Sequence, residues 1–219
     1  MIRNALIVGA TGLIGSELVS LLIKTEYYNS LHILTRRPFL FEHLKIRSYT
    51  IDFDRIEFFT PDAVIHDVYI CLGTTMKKAG SKEAFRKVDY EYVVEISKWA
   101  MQHKIERLSV ISSLGANASS GNFYLRTKGQ MEDALKEISL PHLTIFRPSL
   151  LLGERNEFRP GERLGAIFMK PLSFVMAGPL KKYRPIKAQI LAHAMFYYTI
   201  HSQFSSQVIE NDQLIDFSY

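Results

Sequence analysis

The run Leu6-Ile7-Val8-Gly9-Ala10-Thr11-Gly12-Leu13-Ile14-Gly15 constrains this chain more than any other segment. A short apolar stretch ends in three glycines spaced three apart, and an apolar helical stretch follows. The pattern describes a strand, a tight turn and a helix whose N-terminus faces the turn. Unpaired backbone N–H groups and the positive end of the helix dipole make such a turn an anion site, suited to a pyrophosphate. Gly9 lets the chain leave the strand in a conformation that a Cβ would strain. Gly12 lets the backbone approach the phosphates, and Gly15 lets the helix pack closely on the sheet. The spacing is G-x-x-G-x-x-G, not the G-x-G-x-x-G of the standard dinucleotide fingerprint, so the surrounding pattern must carry the reading.

That pattern is strand–helix alternation. Strands are expected over 3–8, 31–35, 46–51, 67–72, 106–112 and 142–147, and helices over 12–24, 81–104 and 122–138. The strands are apolar on both faces, as in Leu108-Ser109-Val110-Ile111, which fits a parallel sheet covered by helices on both sides. Such alternation predicts a doubly wound, Rossmann-like α/β fold. Ser81 is a plausible N-cap for 81–104, where Phe85, Val88, Tyr92, Val93, Ile96, Trp99 and Ala100 recur near helical spacing. After Pro148 the pattern changes: 161–177 and 186–201 look helical, and 206–217 a short terminal strand region. The expectation is one domain, 1–219, with a core of about 1–150 and a small C-terminal helical lobe of about 151–219 serving substrate.

The chain has 219 residues, 47% hydrophobic and 22% charged, enough to bury a full core. A net charge of +5 raises nucleic acid as a partner. No zinc spacing, RNA-binding aromatic signature or dense basic block supports that, and the charge suits an anionic cofactor. Cys71 is the lone cysteine, which fits a reducing, cytoplasmic setting and reads as a small buried hydrophobe. There is no convincing signal peptide, and no stretch is long enough to span a membrane, so no membrane partner is expected.

The second strand ends in Leu34-Thr35-Arg36-Arg37. In a dinucleotide fold this position meets the adenine ribose, where an acidic residue favours NAD. Two arginines stand there instead, and guanidinium groups bind a phosphate dianion through charge-assisted bonds, so NADP (NADPH) is the expected cofactor. The fourth strand ends in Leu72-Gly73, where a glycine lets a cofactor pass close to the backbone. The fifth ends in Ser112-Ser113 and is followed by Tyr124-Leu125-Arg126-Thr127-Lys128. Tyrosine and lysine four apart share one helix face. The lysine's charge would favour the tyrosinate, and Tyr124 could then pass a proton to or from a substrate oxygen. A strand-end serine could steady the developing alkoxide. Tyr183 and Lys187 repeat the spacing, but Pro185 lies between them and no serine-bearing strand precedes them, so they are a decoy.

Taken together, Gly9-Ala10-Thr11-Gly12, Thr35-Arg36-Arg37, Cys71-Leu72-Gly73-Thr74-Thr75, Ala79-Gly80, Val88-Asp89 with Tyr92, Ser112-Ser113-Leu114-Gly115-Ala116, Tyr124 to Lys128, and Phe146-Arg147-Pro148 leading to Arg159-Pro160-Gly161-Glu162 resemble an atypical branch of the short-chain dehydrogenase/reductase superfamily, that of the Tat-interacting-protein homologues. The resemblance implies that Thr11, Gly12, Leu13 and Ile14 line the pyrophosphate, Arg36 and Arg37 the adenosine phosphate, and Leu72 and Gly73 the length of the cofactor. It puts Leu151 near the nicotinamide and brings Arg159 back onto the cofactor. Tyr124 and Lys128 become the catalytic pair. Ser113 becomes the catalytic serine, with Ser112 the alternative. Asp89 falls where many such enzymes carry an asparagine of a proton relay.

His193 and His201 sit among apolar residues with no metal spacing and read as structural; no metal is expected. Phe158, Phe168, Met169, Phe174 and Met176 suit either packing of the lobe or a hydrophobic wall of the substrate pocket. Leu172 to Leu180, with Lys181 and Lys182 after it, reads as lobe rather than membrane contact. The expected activity is hydride transfer to or from a small carbonyl or alcohol. The alternative is an NADP-binding redox sensor acting through protein partners. A sugar-nucleotide epimerase fits less well, because only about 70 residues follow Pro148. Substrate and oligomeric state stay open.

Overall fold

Strand β1 (Asn4–Val8) sends Ala5 and Ile7 into one hydrophobic layer and Leu6 and Val8 into another. This two-residue alternation builds a sheet buried on both faces. The computed structural model describes residues 3–153 and 178–217. Its strands β2 (Ser30–Thr35), β3 (Ile46–Thr50), β4 (Asp67–Ile70), β5 (Arg107–Ile111), β6 (His142–Arg147) and β9 (Ser206–Glu210) join β1 in the order β3-β2-β1-β4-β5-β6-β9. Every neighbouring pair is parallel. Strand order reverses between β1 and β4, which opens the crevice at their carboxyl ends where ligands bind in such sheets. Two short strands, β7 (Leu151–Leu152) and β8 (Ile186–Lys187), pair beside it.

Helix α1 (Leu13–Leu22) covers one face through Ile14, Leu18, Val19 and Leu22. A helix of the tail, α6 (Ala188–Ile200), lies beside it with Leu191, Ala192 and Met195 in the same layer. The other face is covered by α4 (Tyr92–Gln102), α5 (Phe123–Glu137) and the 3-10 turn Phe53–Phe58. Trp99 is buried there with its Nε1 donating to Phe59 O at 2.9 Å, so burial leaves no orphaned donor. At the amino end of the sheet, buried Asp67 takes Arg107 Nε at 2.8 Å, Arg3 Nη2 at 3.2 Å and the Tyr28 hydroxyl at 2.8 Å. These bonds neutralise a charge that would be costly alone.

The structure departs from the sequence expectations at several points. β4 ends at Ile70, with Cys71 N making a last bond to Val8 O at 2.8 Å at the switch point. The segment 81–104, which follows the short helix α2 (Met76–Ala79), is not one α-helix. It comprises α3 (Lys82–Arg86), a π turn over Lys87–Glu91 and α4, and the Ser81 side chain accepts from Ala84 N as N-cap. Side-chain periodicity of 3.6 does not reveal one inserted residue. The described tail belongs to the core layers: α6 packs on α1, and β9 is the seventh strand. The region 206–217 is that strand followed by the short helix α7 (Asn211–Ile215). The helix expected over 161–177, with Arg159, Phe158, Phe168, Met169, Phe174 and Met176, lies outside the described residues. No helix among the described residues is long and apolar enough to cross a membrane.

Candidate functional site

The glycine turn is built for close approach. Gly9 has φ +85°, and a Cβ there would stand 2.6 Å from Cys71 O. A Cβ on Gly15 would stand 2.1 Å from Gly9 O, so only glycine lets α1 meet the strand end. Gly12 N donates to Gly9 O at 3.0 Å and closes the turn. No side chain caps α1, and its first turn holds no acidic residue, so its free N–H groups face the crevice.

A cleft of about 690 Å³ opens there, over the carboxyl ends of β1, β4 and β5. Thr11, Gly12, Leu13 and Ile14 form one wall, and Leu72 and Gly73 the floor beside them. Ser112, Ser113, Tyr124, Lys128 and Leu151 close the far side. The residues expected to act together therefore share one cavity. Arg36 and Arg37 stand exposed just past the end of β2 and do not line it; Thr35 Oγ1 donates to Arg37 O at 2.6 Å and shapes the turn.

Tyr124 sits in the first turn of α5, which Asn122 caps by accepting from Leu125 N at 3.2 Å. Its ring packs on Phe85 at 5.5 Å between centroids. Lys128 is one turn on and buried. Its Nζ lies 2.8 Å from Asp89 Oδ1 and donates to Ile111 O at 3.3 Å. Burial alone would pull the ammonium's pKa down. The charge of Asp89, aided by Tyr124, outweighs this and holds Lys128 above the ordinary lysine value.

The two strand-end serines differ. Ser112 is buried and its Oγ donates to Glu132 Oε1 at 2.5 Å. Ser113 is half-buried on the cleft wall, and its Oγ donates only a long bond of 3.4 Å, to Leu114 O. Cys71 also lines the cleft, partly exposed rather than fully buried. Its thiol is pushed up to about 12 by burial, so it is no nucleophile at neutral pH.

Residues 5–170 match the model of the NAD dependent epimerase/dehydratase family. The chain belongs to that family. Protein HTATIP2 of Rattus norvegicus is 33% identical over 174 residues, which cover 78% of this chain and 72% of the relative. Protein FMP52, mitochondrial, of Candida albicans is 38% identical over 159 residues, 70% of this chain and 69% of that one. These relatives bear out the resemblance to the Tat-interacting-protein branch. Among solved structures, the Bordetella bronchiseptica enzyme WbmH in complex with NAD+ superimposes with a TM-score of 0.72 at 15% identity, covering 96% of this chain and 76% of that chain. MoeE5 in complex with UDP-glucose and NAD gives 0.70 at 16% identity, covering 94% and 75%. Both share the fold.

In this epimerase/dehydratase chain, several residues at the site were not singled out from sequence. Glu132 is one turn past Lys128 on the same face of α5. The i, i+4, i+8 stripe of Tyr124, Lys128 and Glu132 was the available signal. Gly129 has a close-packing role: a Cβ there would stand 2.1 Å from Ala118 N. Thr74 N donates to Asp89 Oδ2 at 2.8 Å, a contact no local pattern announces. The decoy pair is separated by fold, with Tyr183 ending a 3-10 turn and Lys187 in β8.

Proposed function

We propose that this epimerase/dehydratase-family protein is an NADP-dependent oxidoreductase of the short-chain dehydrogenase/reductase type, acting on a small carbonyl or alcohol. The observation that carries the reading is the shared cleft: Ser113, Tyr124 and Lys128 face the glycine turn across about 690 Å³.

The residues present fit a dinucleotide. The uncapped N-terminus of α1, with Thr11 and Gly12 exposed, suits a pyrophosphate, and a Cβ on Gly12 would crowd Gly9 O at 3.2 Å. Leu72, Gly73 and Leu151 would flank the rest of the cofactor. Arg36 and Arg37, exposed beside the turn, would hold a 2′-phosphate, and no carboxylate stands between them and β2 to select NAD. Arg159 belongs to the same assignment by resemblance. The bound nicotinamide would supply hydride-transfer chemistry.

The chain's own groups handle the proton. Tyr124 gives its phenolic proton to the carbonyl oxygen, or takes one from the alcohol. The Lys128 ammonium, fixed by Asp89 and Ile111 O, stabilises the tyrosinate. Ser113 donates to the substrate oxygen as negative charge develops, a task for which Ser112 is less available because Glu132 engages it. A cytoplasmic setting completes the proposal on the strength of the lone cysteine. The Candida albicans relative's name places that protein in mitochondria, so cell fractionation is the check.

The test is calorimetry with NADP, NADPH and NAD, followed by a panel of small carbonyls. NADP should bind more tightly than NAD, and Tyr124→Phe should lower kcat about 10²- to 10⁴-fold while leaving cofactor affinity intact. Tight NADP binding with no turnover of any carbonyl would favour the redox-sensor alternative. No heat from either phosphorylated cofactor would overturn the reading.

A further inference from the structure

Asn211, the first residue of α7, is fully buried and lies outside the cleft lining. Its side-chain amide nevertheless spans two segments of the chain, one of which lines the cleft. Oδ1 accepts the N–H of Ser149, at 2.9 Å, just past β6. Nδ2 donates to Lys182 O at 2.9 Å and to Arg184 O at 2.8 Å, in and just after the 3-10 turn Gly178–Tyr183. The Ser149 hydroxyl donates to Arg184 O as well, so the two segments also touch directly. Flipped, the amide would set its NH2 against the Ser149 N–H and its oxygen against two carbonyls, so only one orientation satisfies every partner. Ser149 lines the cleft, and the residues on either side of it are bonded elsewhere. Pro148 O accepts the N–H of Leu114, next to Ser113, at 2.9 Å, and Leu150 O accepts that of Ile186 at 3.0 Å. Leu151 then pairs with Ile186 in the ladder of β7 and β8.

The geometry points to Asn211 as a positioning residue: from the far end of the chain it fixes the Pro148–Leu151 wall of the cleft, and with it the loop that presents Ser113. An amide suits the position because one group must accept on one side and donate twice on the other. A carboxylate of the same shape would still accept from Ser149 but would oppose Lys182 O and Arg184 O, acceptor against acceptor. An aliphatic side chain would leave all three backbone groups without this partner. β9 and α7 thereby serve the site although none of their residues lines it. The inference rests on the proposed function only for what Ser113 does in turnover; the clasp itself is a property of the cofactor-free protein.

The test starts without cofactor, by hydrogen exchange read by NMR. The Ser149 amide reports the wall, the Arg184 amide, which donates to Lys181 O, reports the turn, and the Leu6 amide in β1 reports the core. In Asn211→Ala, Ser149 and Arg184 should exchange about fivefold or more faster than in wild type, beyond any change at Leu6. In Asn211→Asp, Arg184 should lose protection while Ser149 stays within about twofold of wild type, because the carboxylate still accepts. That split should narrow as pH falls towards about 5, since a protonated carboxyl in this buried place can again donate to one of the two carbonyls. Should Asn211→Ala fail to fold, the split in Asn211→Asp carries the test. With NADPH and a working carbonyl, Asn211→Asp should lower kcat about tenfold at about pH 8, and the ratio of its kcat to that of wild type should rise towards about pH 6. A rise at Ser149 and Arg184 no larger than at Leu6, or equal loss of protection at both amides in Asn211→Asp, would overturn the proposal. A kcat ratio flat with pH would reduce the clasp to folding alone and overturn its positioning role. The exchange results can be read whether or not the protein proves to use NADP, so a failure of that reading stays distinguishable.

Discussion

Glu132 and Arg147 face each other as a two-bond pair: Nε donates to Oε1 at 2.9 Å and Nη2 to Oε2 at 2.6 Å. The pair joins α5 to the carboxyl end of β6. Arg147 Nη1 extends it to Glu210 on β9 at 2.8 Å, and Ser112 at the end of β5 donates into Glu132. One buried carboxylate thus fastens the helix that carries Tyr124 and Lys128 to neighbouring strand ends.

Removing it should be expensive. Glu132→Ala leaves Arg147 half-paired and Ser112 without its acceptor. It is expected to destabilise the fold by about 3 kcal/mol or more, the usual range for breaking a buried pair. Combining it with Arg147→Met should recover much of the loss. Urea unfolding of the single and double variants measures this; equal stability of Glu132→Ala and wild type would contradict it.

Gly129→Ala tests the seat of α5. The new methyl would stand 2.1 Å from Ala118 N and 2.2 Å from the Asn117 carbonyl carbon, so the helix must move off that loop and carry Lys128 with it. A cost of about 2 kcal/mol is expected from overpacking, together with a loss of activity larger than the drop in stability explains. Gly121→Ala, where a Cβ meets nothing within 4 Å, is the matched control and should be near neutral. Thermal melts and turnover of both variants decide it.

For cofactor choice, replacing Arg36 and Arg37 together with alanine should weaken NADP about 10- to 100-fold and leave NAD within about twofold, the worth of charge-assisted bonds to one phosphate. Calorimetry with both nucleotides gives the ratio. Parallel losses for NAD and NADP would move the arginines from phosphate recognition to loop structure.

His32 should make stability fall on acidification. Its ring is buried between Ser30 and Tyr49, and burial lowers its pKa below the ordinary value of 6.5; Asp62 opposes that and Arg47 adds to it. The folded state therefore prefers neutral imidazole, and the unfolded chain binds the proton first. The contribution is complete above the unfolded pKa and is lost as pH falls from there towards the folded one. Between about pH 7.5 and about pH 5, Tm of His32→Asn should therefore decline less than that of wild type. Parallel declines would remove His32 from the account.

The glycine turn, α1 and the first six strands of the sheet could be read from sequence, because each rests on local pattern: an apolar run, a glycine where backbone must bend, a cap. Tyr124 with Lys128 was legible because helical spacing and a preceding serine pair sit close together in the chain. What escaped depends on distant partners. Glu132 looks like any solvated helix charge until Arg147 arrives from β6. Gly129 looks like a weak point in a helix until the 117–118 backbone packs on it. A strand was expected over 206–217, but its place beside β6 in the main sheet is not written in its own meagre apolar run, Ser206-Gln207-Val208-Ile209-Glu210. A π turn leaves almost no trace in composition, since it changes the count of residues per turn and not their kind.

That last feature bears on how this chain can vary over evolutionary time. Each residue added to or dropped from a regular helix swings everything beyond it by about 100°. The stretch between Ser81 and Tyr92 fixes the angular setting of both Asp89 and the Trp99 face that follows. Exchanging letters there disturbs the fold far less than gaining or losing one, since a gap opened in that stretch would turn Asp89 away from Lys128 and Thr74.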